Sequence, residues 1–166
     1  MAWAVSTAGV FRVACLLTLL LASLSARAGE HDLPNRSLTP GVALAGITAE
    51  QVCRPGYAAK ARDVSSATKQ AVYVAYGLVG NHSGYCGGSK GCEVDHLISL
   101  ELGGSNDAAN LWAQSYESQP WNARRKDHLE NTLHALVCSG RLSLSEAQRA
   151  IAENWIEAYR RFIGSD

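Results

Sequence analysis

Beyond its N-terminal segment, the chain lacks any apolar run long enough to span a membrane. It also lacks an excess of charge of either sign, since fifteen basic residues stand against fifteen acidic ones. A strongly basic chain would indicate binding to nucleic acid through its overall charge. The balance excludes that mode, so any contact with a polyanion must come from a local patch of positive charge.

Several familiar patterns are missing as well. The sequence has no internal repeat, no low-complexity tract and no Cys-x-x-Cys pair. The missing cysteine spacing argues against a structural zinc site. No zinc finger or helix-turn-helix pattern is present, so strong sequence specificity toward DNA is not expected.

The N-terminal segment contains the longest apolar stretch, "VACLLTLLLASL" at residues 13–24, directly after Arg12. This stretch is shorter than the roughly 20 residues that a membrane-spanning helix needs. It precedes "ARA" at residues 26–28, which fits a small-residue cleavage site. Residues 1–28 are therefore predicted to be a signal peptide of an exported protein, periplasmic or secreted; an uncleaved anchor is the alternative.

Loss of the signal peptide removes Cys15 and leaves four cysteines in 138 residues, with thirteen basic and fifteen acidic side chains. An even number of cysteines in an exported chain indicates two disulfides. Cys86 and Cys92 flank the flexible loop "GGSKG", which favours Cys86–Cys92 together with Cys53–Cys138. Three connectivities remain open on sequence alone, and a zinc site is the competing interpretation.

The mature chain is predicted to be one α+β domain, residues 49–166, preceded by an extended arm at residues 29–48. Apolar side chains recur at helical spacing in three segments, which predicts helices at residues 65–76, 122–139 and 143–163. Between the first two helices, a strand, a Gly-rich turn and a short returning strand predict a hairpin. Its parts are residues 92–98, 102–110 and 111–113.

The first strand of this hairpin carries an acid and an imidazole side by side, Asp95 and His96, within an apolar run. Burying such polar groups costs free energy unless each has a partner. Neighbours on a regular strand point to opposite faces. Either the strand ends or bulges at Asp95, or Asp95 has a supporting role.

The stretch "EVDHLISLELGGSNDAANLW" at residues 93–112 resembles the motif of the HNH, or ββα-metal, endonucleases, and "WNARRKDHLEN" at residues 121–131 extends the resemblance. More broadly, residues 56–159 are similar to secreted bacterial HNH-type nucleases. The resemblance implies an HNH-like hairpin-helix core packed against additional helices. It also favours a strand that ends or bulges at Asp95.

The function implied by the resemblance is metal-dependent hydrolysis of phosphodiester bonds in DNA or RNA with little sequence preference. An imidazole titrates near neutrality and can take a proton from water, so His96 is the candidate general base. Carboxylate and amide oxygens hold hard divalent cations, so Asp95 is a candidate ligand for Mg²⁺ or Mn²⁺, with Zn²⁺ as the alternative. Asn110 corresponds to the family's loop-closing Asn, which positions the backbone around the base.

The helix after the hairpin is expected to supply the last metal ligand and the contacts to phosphate. Asn122, near the helix start, is the leading candidate ligand. The other candidate ligands are Asp127, His128, Glu130 and Asn131. Positive charge for the substrate and the transition state is expected from Arg124, Arg125 and Lys126.

Two other functions fit the same sequence. One is an HNH-fold binding or envelope protein that has lost the chemistry. The other is a secreted effector directed at the nucleic acid of another cell.

Overall fold

The computed structural model describes Met1 and residues 29–164, so the predicted signal peptide lies outside the described residues. The described part has five helices and a two-stranded antiparallel sheet, which confirms the predicted small α+β class. The helices are α1 (Ala49–Val52), α2 (Tyr57–Ala61), α3 (Ser66–Ala75), α4 (Ala123–Cys138) and α5 (Leu144–Phe162). The strands are β1 (Cys92–His96) and β2 (Leu111–Ser115). Within these residues, no helix combines the length and the apolar character that crossing a bilayer requires.

The three longer helices match the predicted segments because each begins at a side chain that accepts a backbone N–H of its first turn. Ser65 caps α3, Asn122 caps α4 and Ser143 caps α5. Helix α5 breaks at Asn154, whose backbone is non-helical and whose side-chain oxygen accepts two N–H groups of the following turn. Helices α1 and α2 escaped prediction because four or five residues are too few to show helical periodicity.

The main core lies between the hairpin, α4 and α5. Trp112, Leu129 and Trp155 form its centre and are each at most 1% exposed. Burying a side chain of this size stabilises the fold by roughly 1.5–3 kcal/mol. A smaller cluster, which includes Leu78 and Ala113, packs with the tyrosines of the α3 region. Both clusters contain side chains of β2, so the hairpin is held from two sides.

The arm, residues 29–48, packs along the domain through specific hydrogen bonds. The Trp155 Nε1–H donates to the backbone oxygen of Asp32 at 2.8 Å. The Thr39 hydroxyl donates to the backbone oxygen of Leu111 at 2.7 Å. These contacts tie the arm to α5 and to the start of β2.

Strands β1 and β2 pair in one continuous register, with Asp95 opposite Trp112 and His96 opposite Leu111. The expected strand end or bulge at Asp95 is therefore wrong, because both residues belong to regular pairs. Their side chains leave on opposite faces of the hairpin. The strand ends at His96 rather than at Ile98, whose N–H turns to the side chain of Asn110.

Two disulfides are present, as the even number of cysteines predicted. Cys53–Cys138 joins the end of α1 to the end of α4, and Cys86–Cys92 joins a 3₁₀ turn to the start of β1. Both bonds are compatible with an exported protein.

Removal of Cys53–Cys138 by the double substitution Cys53→Ser/Cys138→Ser should lower the free energy of unfolding by about 2–5 kcal/mol. The bond links residues 85 positions apart, so its loss frees a long loop in the unfolded chain. The matched control is Cys86→Ser/Cys92→Ser, which opens a link of only 6 positions. Urea denaturation of both variants measures the difference, and a larger loss in the control would contradict the expectation.

Candidate functional site

A buried ammonium joins the hairpin to α4. Lys126 lies in the first turns of α4, and its side chain has no exposed surface. Its Nζ donates to Oδ2 of Asp95 at 2.6 Å, to the backbone oxygen of His96 at 2.7 Å and to Oε1 of Glu130. We call this group the Lys126 cage. It fixes the end of β1 against α4.

In the Lys126 cage, two carboxyl groups, those of Asp95 and Glu130, share a single ammonium. Burial raises the pKa of Glu130 to about 8 against the pull of Lys126, and the charge of Asp95 adds to the rise. Burial by itself would lower the pKa of Lys126, but Asp95 and Glu130 outweigh it and raise that pKa, so the ammonium stays charged. Burial, with help from Asp95, also raises the pKa of Glu93 and of Asp127. Glu93, Asp127 and Glu130 therefore hold their protons to higher pH than exposed carboxyl groups do.

The raised pKa of Glu130 makes stability depend on pH. The folded protein keeps this proton up to about pH 8, whereas the unfolded chain releases it near pH 4.5. The folded state binds more protons between these values, so the contribution of Glu130 to the free energy of unfolding falls as pH rises through that window. Glu130→Gln keeps an oxygen for Lys126 but does not titrate. The variant should show a flatter decline than the wild type in urea denaturation across this window.

The control for this prediction is Glu153→Gln, which removes an exposed carboxylate outside the cage. Its stability should follow the pH dependence of the wild type. Parallel curves for wild type and Glu130→Gln would contradict the prediction.

His96 lies on the other face, and its ring is held in one orientation. The side chain is 3% exposed, and its Nε2 is 2.9 Å from Oδ1 of Asn106. The Asn106 amide is oriented by its Nδ2, which donates to the backbone oxygen of Ala61 at 2.8 Å. Since the atom facing His96 is then an acceptor, Nε2 carries the proton and Nδ1 is the basic nitrogen. Some side-chain atoms of the described residues are fully enclosed and have no hydrogen-bond partner. Nδ1 of His96 is not one of them, so solvent can still reach it.

The surroundings of His96 keep the ring neutral. Burial lowers the pKa of His96 below its usual value, and the positive charges of Arg62 and Lys126 lower it further. The hydrogen bond to Asn106 and the charge of Asp95 act in the opposite direction without reversing the shift. A neutral imidazole with a fixed tautomer can accept a proton.

Asn110 closes the loop between the strands. It is 0% exposed, and its Oδ1 accepts the N–H of Ile98 at 2.9 Å and of Val42 at 3.2 Å. Its Nδ2 donates to the backbone oxygens of Ile98 at 3.0 Å and Ser105 at 2.9 Å. Gly104 is required for this close packing, because a Cβ there would lie 1.7 Å from the oxygen of Ile98. Asn110 therefore fixes the backbone that follows His96.

The residues predicted at the start of α4 have other contacts. The Asn122 Oδ1 accepts the N–H of Arg125 at 3.3 Å as the helix cap, and its Nδ2 donates to the oxygen of Ser118 at 3.2 Å. The guanidinium carbon of Arg125 lies 5.4 Å from the ring centroids of both Trp121 and Tyr159. Arg125 is thus directed toward the aromatic side chains that α4 shares with α5. Arg124 is exposed.

Of the other candidate ligands, only Glu130 makes a hydrogen bond within the Lys126 cage. Asp127 lies close enough to Asp95 for that charge to add to the rise in its pKa that burial causes. The His128 ring centroid lies 6.0 Å from that of Tyr159, on the side of α5. Asn131 is exposed and donates to the backbone oxygen of Asp127 at 2.8 Å.

Sequence reasoning missed Asn106 and the burial of Lys126. Asn106 stands in a turn-forming stretch, where an Asn is ordinarily explained by the turn itself. Lys126 did leave a signal: it falls in the same helical stripe as Leu129 and Leu133, which are both fully buried. A lysine inside an apolar stripe needs a buried counter-charge, and Glu130 follows at the next turn.

A second set of potential metal ligands lies at the other end of α4. The ligand atoms of Cys53, His134 and Cys138 are within 4.8 Å of one another. Both sulfurs belong to one disulfide, so only the imidazole is available as a ligand while that bond is intact. This group could hold a metal ion only in the reduced protein.

The candidate site thus combines an oriented imidazole on one face of β1, a caged ammonium on the other and a loop closed by Asn110. The ammonium lies between β1 and α4, whereas the imidazole is linked through Asn106 to the end of α2. No family model, no curated protein and no solved structure matches the chain.

Proposed function

We propose that the protein is an exported endonuclease, periplasmic or secreted, that hydrolyses phosphodiester bonds of DNA or RNA with little sequence preference. The observation that carries the proposal is the fixed tautomer of His96, which leaves Nδ1 as the basic nitrogen. The element order supports an HNH-like core, since β1 ends at His96, Asn110 closes the loop, and β2 leads to α4.

In the proposed reaction, the oxygen of a water molecule attacks phosphorus while its proton passes to Nδ1 of His96. The bond between phosphorus and the leaving sugar oxygen breaks, and that oxygen takes a proton from solvent. The lowered pKa of His96 keeps the base neutral at physiological pH. Arg62 is exposed and its charge is felt at His96, so we assign it as a candidate for stabilising the charge that develops on the phosphate. Arg124 is the exposed candidate on α4.

The resemblance also implies a divalent metal ion, Mg²⁺ or Mn²⁺, held by Asp95 and Asn122. These residues do not fit the ion in this arrangement. Oδ2 of Asp95 accepts from the buried ammonium of Lys126, and Oδ1 of Asn122 accepts from the backbone at the helix start. The proposed reaction therefore has no step at a metal ion, and the cleavage assay tests the metal requirement that the resemblance implies.

The experiment is a cleavage assay with the purified, oxidised protein. Supercoiled plasmid DNA and a structured RNA are incubated with Mg²⁺, with Mn²⁺ and with a chelator. We expect nicked and then linear plasmid, or shortened RNA, in at least one condition. The control is His96→Ala prepared in parallel, which identifies cleavage by a contaminating nuclease. The proposal fails if wild type and control cleave equally.

The second candidate function is a binding or envelope protein that keeps the fold without the chemistry. The observation in its favour is the Lys126 cage, which occupies Asp95 with an ammonium. It predicts retention of nucleic acid in a gel-shift assay with no cleavage of DNA or RNA in any condition. Cleavage that depends on His96 would exclude it.

A further inference from the structure

The oxygen atoms around Lys126 are those that a hard cation takes in proteins. Nζ donates to two carboxyl oxygens, of Asp95 and Glu130, and to the backbone carbonyl oxygen of His96. Divalent magnesium and calcium sites are built from carboxylate and carbonyl oxygens of this kind. The side chain that fills the position is itself a cation with no exposed surface.

We infer that the Lys126 ammonium is the resident cation of this site and replaces a divalent metal ion at Asp95. The consequence for catalysis rests on the proposed nuclease function: cleavage proceeds without a divalent ion bound to Asp95. The geometry of the Lys126 cage itself does not depend on that function.

A metal ion cannot simply be added to the Lys126 cage. Oxygen–metal distances of about 2.0–2.6 Å would bring a divalent ion close to the ammonium on the same carboxylate, where like charges repel strongly. The ion would have to expel Nζ from a position fixed by the helical spacing of Lys126 and Glu130. An ammonium displaced in this way loses three oxygen partners and remains tethered beside the ion.

The Lys126 ammonium also links β1, which carries His96, to α4. The Lys126 ammonium is enclosed and cannot contact the substrate. It donates instead to the backbone oxygen of His96 at 2.7 Å. Lys126 is therefore a positioning residue. In a metal-dependent site, the ion would supply this link between Asp95 and the helix.

The direct test is Mn²⁺ binding to the full-length, oxidised protein, measured by the loss of the free-ion electron paramagnetic resonance signal. The comparison variant is Asp95→Asn, which keeps an oxygen for Lys126 but removes the carboxylate charge. We expect wild type and Asp95→Asn to bind Mn²⁺ equally weakly, through exposed carboxylates alone. Binding of about one ion per chain to the wild type that Asp95→Asn abolishes would overturn the inference.

Opening the position provides a second test. Lys126→Met keeps the length of the side chain and removes its charge, so Asp95 and Glu130 face each other without a cation. Mn²⁺ should then raise the midpoint of thermal unfolding of Lys126→Met by several degrees and leave the wild type unchanged. If the variant is unfolded without metal, the gain of folded signal on adding Mn²⁺ is the same readout. A Mn²⁺-dependent rise in the wild type that Asp95→Asn removes would overturn the inference.

The cleavage assay separates failure of this inference from failure of the proposed function. Wild-type cleavage that persists in a chelator supports the resident cation. Cleavage abolished by the chelator and restored by Mn²⁺ in wild type but not in Asp95→Asn overturns it while leaving the nuclease function intact. If no nucleic acid is cleaved, the nuclease function fails, and the Mn²⁺ titration alone decides the inference.

Discussion

Lys126→Ala is expected to lower the free energy of unfolding by about 3–5 kcal/mol, the range for removing one partner of a buried ion pair. The side chains of Asp95 and Glu130 are only 15% and 13% exposed in the wild type, and the substitution removes the ammonium that lies between them. The backbone oxygen of His96 also loses its hydrogen bond from Nζ. The loss therefore combines uncompensated buried charge with a cavity in α4. Urea denaturation at constant pH, with both disulfides intact, measures it.

Two controls distinguish the charge from the packing. Arg124→Ala removes an exposed positive charge two positions earlier on the same helix and should change stability by no more than about 0.5 kcal/mol. The triple variant Asp95→Asn/Lys126→Met/Glu130→Gln removes all three ionisable groups together and should recover much of the loss. If Lys126→Ala is as stable as Arg124→Ala, the Lys126 cage is not a buried ion network in solution.

The sequence was sufficient for the parts of the fold that depend on local pattern. Helices α3, α4 and α5 have apolar side chains at helical spacing and a Ser or Asn at the capping position. The break in α5 at Asn154 was not predicted, because the apolar pattern of the helix continues across it from Ile151 to Trp155. Arg36 of the arm donates to the backbone oxygen of Glu153 at 2.6 Å, beside the break. Such a contact has no local signature.

The candidate site shows the same division. The resemblance to the HNH motif points to Asp95, His96 and Asn110. It does not point to the partners of Asp95 and His96, because those contacts cross from one element to another. Asn106 is ten positions from His96, and Lys126 is 31 positions from Asp95. A strand pattern predicts that Asp95 and His96 lie on opposite faces. Only the packing of α4 shows that Asp95 meets Lys126, and only the folded loop shows that His96 meets Asn106.

On the face of β1 opposite to Asp95, His96 is the proposed general base. His96→Ala should lower the turnover number for nucleic-acid cleavage by roughly 10²–10⁴-fold, the usual contribution of a general base. The matched control is His82→Ala, which removes an exposed histidine outside the candidate site whose Nδ1 is 3.1 Å from the backbone oxygen of Gly88. Its turnover should equal that of the wild type.

Asn106→Ala tests whether orientation of the ring is part of that contribution. The variant keeps the His96 imidazole but removes the acceptor that fixes the proton on Nε2, so the ring can rotate and Nδ1 can carry the proton instead. Its turnover should fall between those of wild type and His96→Ala, while the Michaelis constant changes little, because the substrate is not bound by Asn106. Near-ultraviolet circular dichroism of each variant verifies that the fold is retained. Equal turnover in wild type and folded His96→Ala would reject His96 as the base, whereas a silent Asn106→Ala beside an inactive His96→Ala would show that the base does not need a fixed tautomer.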